Sequence, residues 1–215
     1  MEDNNLVRVN KYSKKIKELP IFKRINIDYP LLCRDKVAEK LAVVVCNLPV
    51  NVFLQIDSAY RTPKTQKILW KLRNKIMLGL VHNPNNGQSP HCTGVAVDVS
   101  LLDVNGKEIN LSEPFIKYYE EPQIISNRIT SKAQELRIIL NKAMLSAGFA
   151  PNAREYWHFS YGDKGWGEYT KRAIIYPEIV IDSNQYYSFY LRIYYRVLKR
   201  LWKFTNKILK LQTNY

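Results

Sequence analysis

Ser89-Pro90-His91-Cys92-Thr93-Gly94-Val95-Ala96-Val97-Asp98 is the stretch that decides how the rest of the chain is read. The chain has only three histidines, and one of them stands here, seven residues before an aspartate. Seven is an odd separation, so on one straight strand the two side chains would face opposite ways. His91 therefore belongs to the loop before the strand, with Gly94 allowing the bend. Asp98 belongs to the strand itself, which the apolar run 95–101 marks as part of the core. A second histidine lies in Glu155-Tyr156-Trp157-His158-Phe159. The same parity puts Glu155 at the loop end of a strand over 156–161, while His158 points inward.

Two imidazoles, one carboxylate to ligate and one carboxylate left over are the minimum kit of a zinc hydrolase: three ligands, an open fourth position for water, and a base. In that reading His91, Asp98 and His158 hold one Zn2+ per chain. Glu155 takes a proton from the attacking water and hands it to the leaving amine. An unligated glutamate in a dry cleft has a raised pKa, as a base for this task needs. Arg61, on a strand-to-helix corner, is the candidate cation for the oxyanion. Spacing alone leaves open the alternative that both histidines are satisfied structural residues. His82, in a polar loop without a nearby carboxylate, reads as a surface residue, and Cys92 as a buried thiol rather than a competing ligand.

Outward from this stretch, the chain mixes hairpins and helices without a βαβ rhythm, which argues for an α+β fold with a small antiparallel sheet flanked by helices. Residues 1–20 are polar and basic and read as a loose arm. Val37, Leu41, Val44 and Val45 share one face of a helix over 35–46. Residues 52–57 read as a buried strand, followed by a turn in which Thr62 and Pro63 are good opening residues for a helix over 63–80. Residues 81–88 are a loop. Val104-Asn105-Gly106-Lys107 predicts a hairpin turn, with 108–111 returning. Residues 112–130 show no period and read as a long loop. A helix over 131–147 presents Ala133, Leu136, Leu140, Ala143 and Met144 on one face and is closed by Gly148. Residues 171–175 are ambiguous.

At 215 residues the chain can bury a full core. Its three cysteines show no C-x-x-C spacing, which argues against a disulfide framework or a cysteine zinc knuckle. Met1-Glu2-Asp3-Asn4-Asn5 does not resemble a signal peptide, and no apolar run approaches the roughly 20 residues of a membrane span. The expectation is a cytoplasmic protein. The net charge of +14 points to an anionic neighbour. Half of it sits in residues 186–215, which hold seven lysines and arginines and no acid. There Tyr190, Tyr194, Val197, Leu201, Phe204, Ile208 and Leu211 form one helical stripe, with the basic residues opposite. The expected organisation is a catalytic domain over 1–182 and a basic amphipathic helix over 183–215. The helix would use 186–211 on an anionic membrane surface, with docking on the domain as the alternative and nucleic acid the weakest reading.

Ser89, His91, Gly94, Ala96 and Asp98 stand as Ser-x-His-x-x-Gly-x-Ala-x-Asp, and with the later Glu-x-Trp-His this resembles the zinc D-Ala-D-Ala peptidases. Ser58-Ala59-Tyr60-Arg61-Thr62-Pro63 is similar to the Ala-Tyr-Arg-Pro of the vancomycin-resistance-type D-alanyl-D-alanine dipeptidases within that group. Asn110-Leu111-Ser112-Glu113-Pro114-Phe115 is loosely similar to their Met-Gly-Thr-x-Phe, and the Ser160-Tyr161-Gly162-Asp163 continuation favours the same branch. The resemblance implies zinc on His91, Asp98 and His158, Glu155 as acid/base, Arg61 on the oxyanion and Ser89 on the substrate carboxylate. It implies hydrolysis of the D-Ala-D-Ala dipeptide to D-alanine, a small peptide substrate drawn from cell-wall metabolism. Two positions depart from the pattern. Thr62 is inserted before Pro63, and Ile116 stands where the family places an aspartate for the dipeptide's ammonium. Glu113, Glu120 or Glu121 substitutes for it, or the substrate is a longer stem peptide cut by a D,D-carboxypeptidase or endopeptidase. A binding protein on the same scaffold is the reading from a different class.

Overall fold

The computed structural model describes residues 5–18, 31–72, 81–112 and 124–176. In chain order its elements are β1 (Leu6–Arg8), β2 (Ile16–Glu18), β3 (Leu32–Arg34), α1 (Asp35–Cys46), β4 (Phe53–Ser58), α2 (Pro63–Leu72), β5 (Ala96–Leu102), α3 (Ser131–Ser146), β6 (Ala150–Asn152), β7 (Glu155–Ser160) and α4 (Lys164–Thr170). The architecture is mixed α+β. Several expectations fall on residues outside those described: the helix beyond Leu72, Glu113, Ile116, Glu120 and Glu121 in the long loop, and the whole of 183–215.

A five-stranded sheet in the order β2-β4-β5-β7-β6 carries the fold. Its centre, β5, alternates Val97, Val99 and Leu101, all fully buried, with Asp98 and Ser100 on the other face. Pairing carries that division to the neighbours. Leu101 sits opposite Leu54, Val99 opposite Ile56, and Val97 opposite Phe159, while Asp98 sits opposite His158 and Ser100 opposite Gln55. The apolar set joins Val37, Leu41 and Val44 of α1 and Leu136, Leu140 and Met144 of α3 in one hydrophobic cluster. Phe159 is fully buried there, and its truncation to alanine would cost about 3–5 kcal/mol. The polar set is left for chemistry. A one-residue slip in register would exchange the two faces, so burial of the valines fixes where Asp98 and His158 point.

Helix ends follow local chemistry. In α3 the Thr130 hydroxyl accepts from the Ala133 N–H, and Gly148 just beyond the other end adopts φ +87°, a conformation that favours glycine.

The structure corrects four expectations. Residues 5–18 are not a loose arm. β1 pairs antiparallel with β3, and β2 adds to the edge of the main sheet, parallel to β4 rather than antiparallel. The arm is held by fully or almost fully buried Val9 and Ile16. Contacts from Lys11 Nζ (2.9 Å) and Tyr12 Oη (2.7 Å) to the Asp35 carboxylate tie it to the start of α1. Three-residue strands with one inward side chain show no period, so pattern reading misses them. Residues 108–111 return only through a single bridge, Glu108 to Leu102. The short edge strand β6 pairs with β7. Finally, α4 precedes the ambiguous 171–175 segment and was hidden by Gly165 and Gly167. The Asp163 carboxylate caps it by accepting from the Trp166 N–H, and buried Trp166 donates its indole N–H to the Gly148 carbonyl at 2.8 Å.

Candidate active site

His91 is placed by a tight 3-10 turn, Pro90–Thr93, that delivers the chain into β5. The turn ends on Gly94 at φ +76°, the left-handed region that costs a side-chain-bearing residue about 1–2 kcal/mol. The bend turns His91 onto the Asp98 face of the sheet, as the odd spacing demanded. Buried backbone contacts hold the turn. The Arg34 N–H donates to the Gly94 carbonyl at 2.9 Å, and Arg34 Nε donates to the Thr93 carbonyl at 2.8 Å. Arg34, wholly buried and stacked 4.4 Å over the Tyr176 ring, thus fixes the turn from behind. Sequence reading missed it, since a lone arginine before a helix carries no motif.

Three donor atoms meet on the polar face. His91 Nε2 lies 3.3 Å from Asp98 Oδ1 and 3.3 Å from His158 Nδ1, and His158 Nδ1 lies 2.9 Å from Asp98 Oδ1. Zinc–nitrogen and zinc–oxygen bonds of about 2.0–2.1 Å at tetrahedral angles separate neighbouring donors by roughly 3.3 Å. The trio therefore fits a divalent cation in size and donor type. The other ring nitrogen of His91, Nδ1, lies 2.9 Å from the Ala59 carbonyl. It can only donate to that oxygen, which fixes the tautomer and leaves the Nε2 lone pair aimed at the common centre. Burial, aided by the Arg61 cation, drives the His91 imidazole down to about 4, so it stays neutral at physiological pH. Burial alone would raise the Asp98 carboxyl, but the two imidazoles hold it well below the usual range, and it remains an anionic donor.

Glu155, the first residue of β7, brings Oε2 to 3.7 Å from His158 Nδ1 while staying outside the trio, and accepts from Asn152 Nδ2 at 3.2 Å. Burial pushes the Glu155 carboxyl up, against the pull of the nearby His158. Asn152, on β6, is a second residue that sequence reading missed. Its position across the β6–β7 turn was the one available clue.

Arg61 forks between three partners. Nη2 donates to Asp98 Oδ2 at 3.1 Å, Nη1 to Gln66 Oε1 at 3.1 Å, and Nε to Ser58 Oγ at 3.1 Å. With Oδ1 facing the histidines and Oδ2 facing Arg61, the Asp98 carboxylate is locked in one orientation. The Arg61 backbone N–H also donates to the His91 carbonyl at 3.0 Å. Thr62, the inserted residue, is accommodated as a cap, with its hydroxyl accepting from the Thr65 N–H at 3.1 Å.

All six residues nominated from sequence, Arg61, Ser89, His91, Asp98, Glu155 and His158, line one open cleft of about 350 Å³. Ser89 is almost fully buried at the cleft wall. Trp157, Asn152 and Arg154 complete the wall. His82 is exposed and reaches the rim of the same cleft, its ring nitrogen 3.0 Å from the Gly87 carbonyl. Cys92 is buried, and that burial pushes its thiol up to about 11, far from a ligating thiolate.

Comparison with known proteins matches residues 30–179 to the peptidase M15 family, described as D-ala-D-ala dipeptidase. A D-alanyl-D-alanine dipeptidase of Synechocystis sp. is 34% identical over 104 residues, 41% of this chain and 42% of that protein. A D-alanyl-D-alanine dipeptidase of Escherichia coli K12 is 28% identical over 108 residues, 49% of this chain and 53% of that protein. The chain thus spans about half the length of the curated relatives it matches. Among solved structures, VanYB in complex with D-alanine-D-alanine aligns over 77% of this chain and 89% of that one. At 16% identity and a TM-score of 0.39, this likeness is too loose to bear on the site.

Proposed function

Since the chain belongs to the peptidase M15 family of D-Ala-D-Ala dipeptidases, we propose that it hydrolyses the D-Ala-D-Ala dipeptide to two molecules of D-alanine in a metal-dependent reaction. The observation that carries this reading is the donor trio at mutual distances of 2.9–3.3 Å with an unligated carboxylate 3.7 Å away. His91, Asp98 and His158 would hold the zinc. Bound there, it would supply Lewis acidity and an acidified water. Glu155 Oε2, raised by burial, accepts the water proton as the new carbon–oxygen bond forms. The same carboxyl then delivers that proton to the departing nitrogen as the carbon–nitrogen bond breaks. Arg61 holds Asp98 in place and presents the guanidinium toward the cleft, where it offsets the charge growing on the carbonyl oxygen. Ser89 would meet the substrate's terminal carboxylate.

The test is release of D-alanine by the zinc-loaded protein from D-Ala-D-Ala, run beside tetra- and pentapeptide stems. Cleavage of the dipeptide supports the reading. Cleavage confined to the longer peptides would make it a D,D-carboxypeptidase or endopeptidase, the alternative that Ile116 keeps open. Cleavage of none would leave a binding protein.

The proposed organisation is a peptidase domain over 1–182 and a basic amphipathic helix over 183–215 that rests on an anionic membrane surface. No helix among the described residues is long and apolar enough to cross a membrane. Co-sedimentation with vesicles, with and without phosphatidylserine, checks this. Loss of binding on truncation after residue 182 supports it, and equal binding to neutral vesicles contradicts it.

A further inference from the structure

Ala153 and Arg154 alone join β6 to β7: Asn152 ends one strand, Glu155 begins the other, and the two are paired. Two-residue hairpin loops favour the primed turns, whose positive φ angles call for glycine or asparagine. Neither Ala153 nor Arg154 has a positive φ, which rules out the primed turns and type II alike. An unprimed turn fits poorly with the twist of its strands, and the β6–β7 register shifts right beside it, between Pro151 and Asn152. Asn152 holds this turn. Its Oδ1 accepts from the Arg154 N–H at 3.0 Å, the contact that an asparagine opening a turn makes to the backbone two residues on.

The same bond fixes the amide. With Oδ1 committed to an N–H, the group cannot flip, and Nδ2 stays on the other side as a donor. Nδ2 donates to Glu155 Oε2 at 3.2 Å. Oε2 is the oxygen that faces the donor trio, 3.7 Å from His158 Nδ1, and Asn152 lines the same cleft. The last torsion of a glutamate is broad, so its rotamer alone does not aim the carboxylate. Among the described residues the amide of Asn152 makes the only hydrogen bond to the Glu155 carboxylate. A carboxylate oxygen has two lone pairs, and the amide takes one and leaves the other for the water. An N–H donor has no lone pair of its own to offer, so a proton gathered on Oε2 does not pass to Asn152.

We infer that Asn152 is a positioning residue for the general base: the turn locks its amide, and the amide locks Glu155 Oε2 toward the donor trio. The inference rests on the peptidase reading above. Hairpin turn and base act as one unit, and a change in the turn reaches the reaction through Asn152.

Asn152→Asp separates the two bonds. Aspartate opens such a turn as well as asparagine does, so the Arg154 contact survives, but it has no N–H to give Glu155. In the zinc-loaded protein, acting on the peptide the parent cleaves, Asn152→Asp is expected to lower kcat roughly 10- to 100-fold. KM should stay within about twofold, zinc content should match the parent, and the melting temperature should fall by no more than about 4 °C. Placed in Glu155→Ala protein, the same substitution should change the residual rate by no more than about twofold, because the group it acts through is gone. Asn152→Ala, which breaks both bonds, should lose kcat and thermal stability together. An Asn152→Asp protein as fast as its parent overturns the inference and leaves the peptidase reading intact. So does an equal loss of rate in the Glu155→Ala background, or a loss of kcat that comes only with lost zinc or a larger fall in melting temperature. A parent protein that cleaves neither the dipeptide nor the longer peptides removes the peptidase reading, and the inference with it.

Discussion

Replacing Asp57 by asparagine should make the protein more stable, and by an amount that depends on pH. Burial raises the Asp57 carboxyl from 3.8 to about 7, against the hydrogen bonds of Ser100 and Gln55, and the neighbouring acids Glu108 and Asp98 add to the rise. The folded state therefore keeps a proton that the unfolded chain releases above about pH 4. The stability this proton confers is fully present below the unfolded pKa and is lost as pH climbs through 4 to 7. A rise from 3.8 to about 7 is worth about 4 kcal/mol, and partial access to solvent brings the expectation to about 2–4 kcal/mol. Asparagine keeps the hydrogen bonds and has no proton to lose. The stability difference between variant and wild type should thus be near zero at pH 4 and reach about 2–4 kcal/mol at pH 7.5. Urea unfolding followed by circular dichroism at half-unit pH steps measures it, with chelator present in both samples so that metal release cancels. Parallel stability curves, or a variant weaker at every pH, would refute a desolvated, unpaired carboxylate at this position.

Four further outcomes follow from the same geometry. Arg61→Ala should lower kcat by roughly 10²–10³-fold, as removal of an oxyanion partner does, and also weaken metal binding because Asp98 Oδ2 loses its clamp. Steady-state kinetics with zinc titration separates the two effects. Gly94→Ala, at φ +76°, should cost about 1–2 kcal/mol in thermal unfolding and shift His91 enough to reduce zinc affinity. Stripping the metal should lower the stability measured at zinc in thousandfold excess over its Kd by about 4 kcal/mol, visible as a lower melting temperature in chelator. Arg34→Met should lower zinc affinity more than its stability loss explains, because the turn carrying His91 loses its Thr93 contact, while the conservative Arg34→Lys recovers part of it.

The active-site side of the fold was legible in the sequence because parity constrains it. The odd separation of seven from His91 to Asp98 required a bend, and the structure supplies one at Gly94. The odd separation of three from Glu155 to His158 required a strand end, and β7 begins at Glu155. The α1 and α3 faces were legible from their period. The edges were not. β1, β2, β3 and β6 have three residues each, too few for alternation to stand out, and their pairing depends on distant segments. The second layer of the site was equally hidden. Asn152 on Glu155 and Arg34 behind the His91 turn act through contacts that only the folded chain brings together. Asp57 shows the limit most sharply. In sequence it is an ordinary acid at the end of a strand. Alternation from Gln55 sets it on the Asp98 face, but that it stands there without an ion-pair partner among the described residues is visible only in the folded chain.

The central claim is that two imidazoles and an aspartate hold one metal ion while Glu155 works beside it. Metal content and dipeptide hydrolysis, measured together on wild type and Glu155→Ala, test it most directly. The account predicts one zinc per chain in both proteins, because Glu155 lies outside the trio, and a loss of activity of at least about 10²-fold in the variant alone. A wild type that binds no zinc, or a Glu155→Ala protein that cleaves D-Ala-D-Ala as fast as its parent, would contradict it.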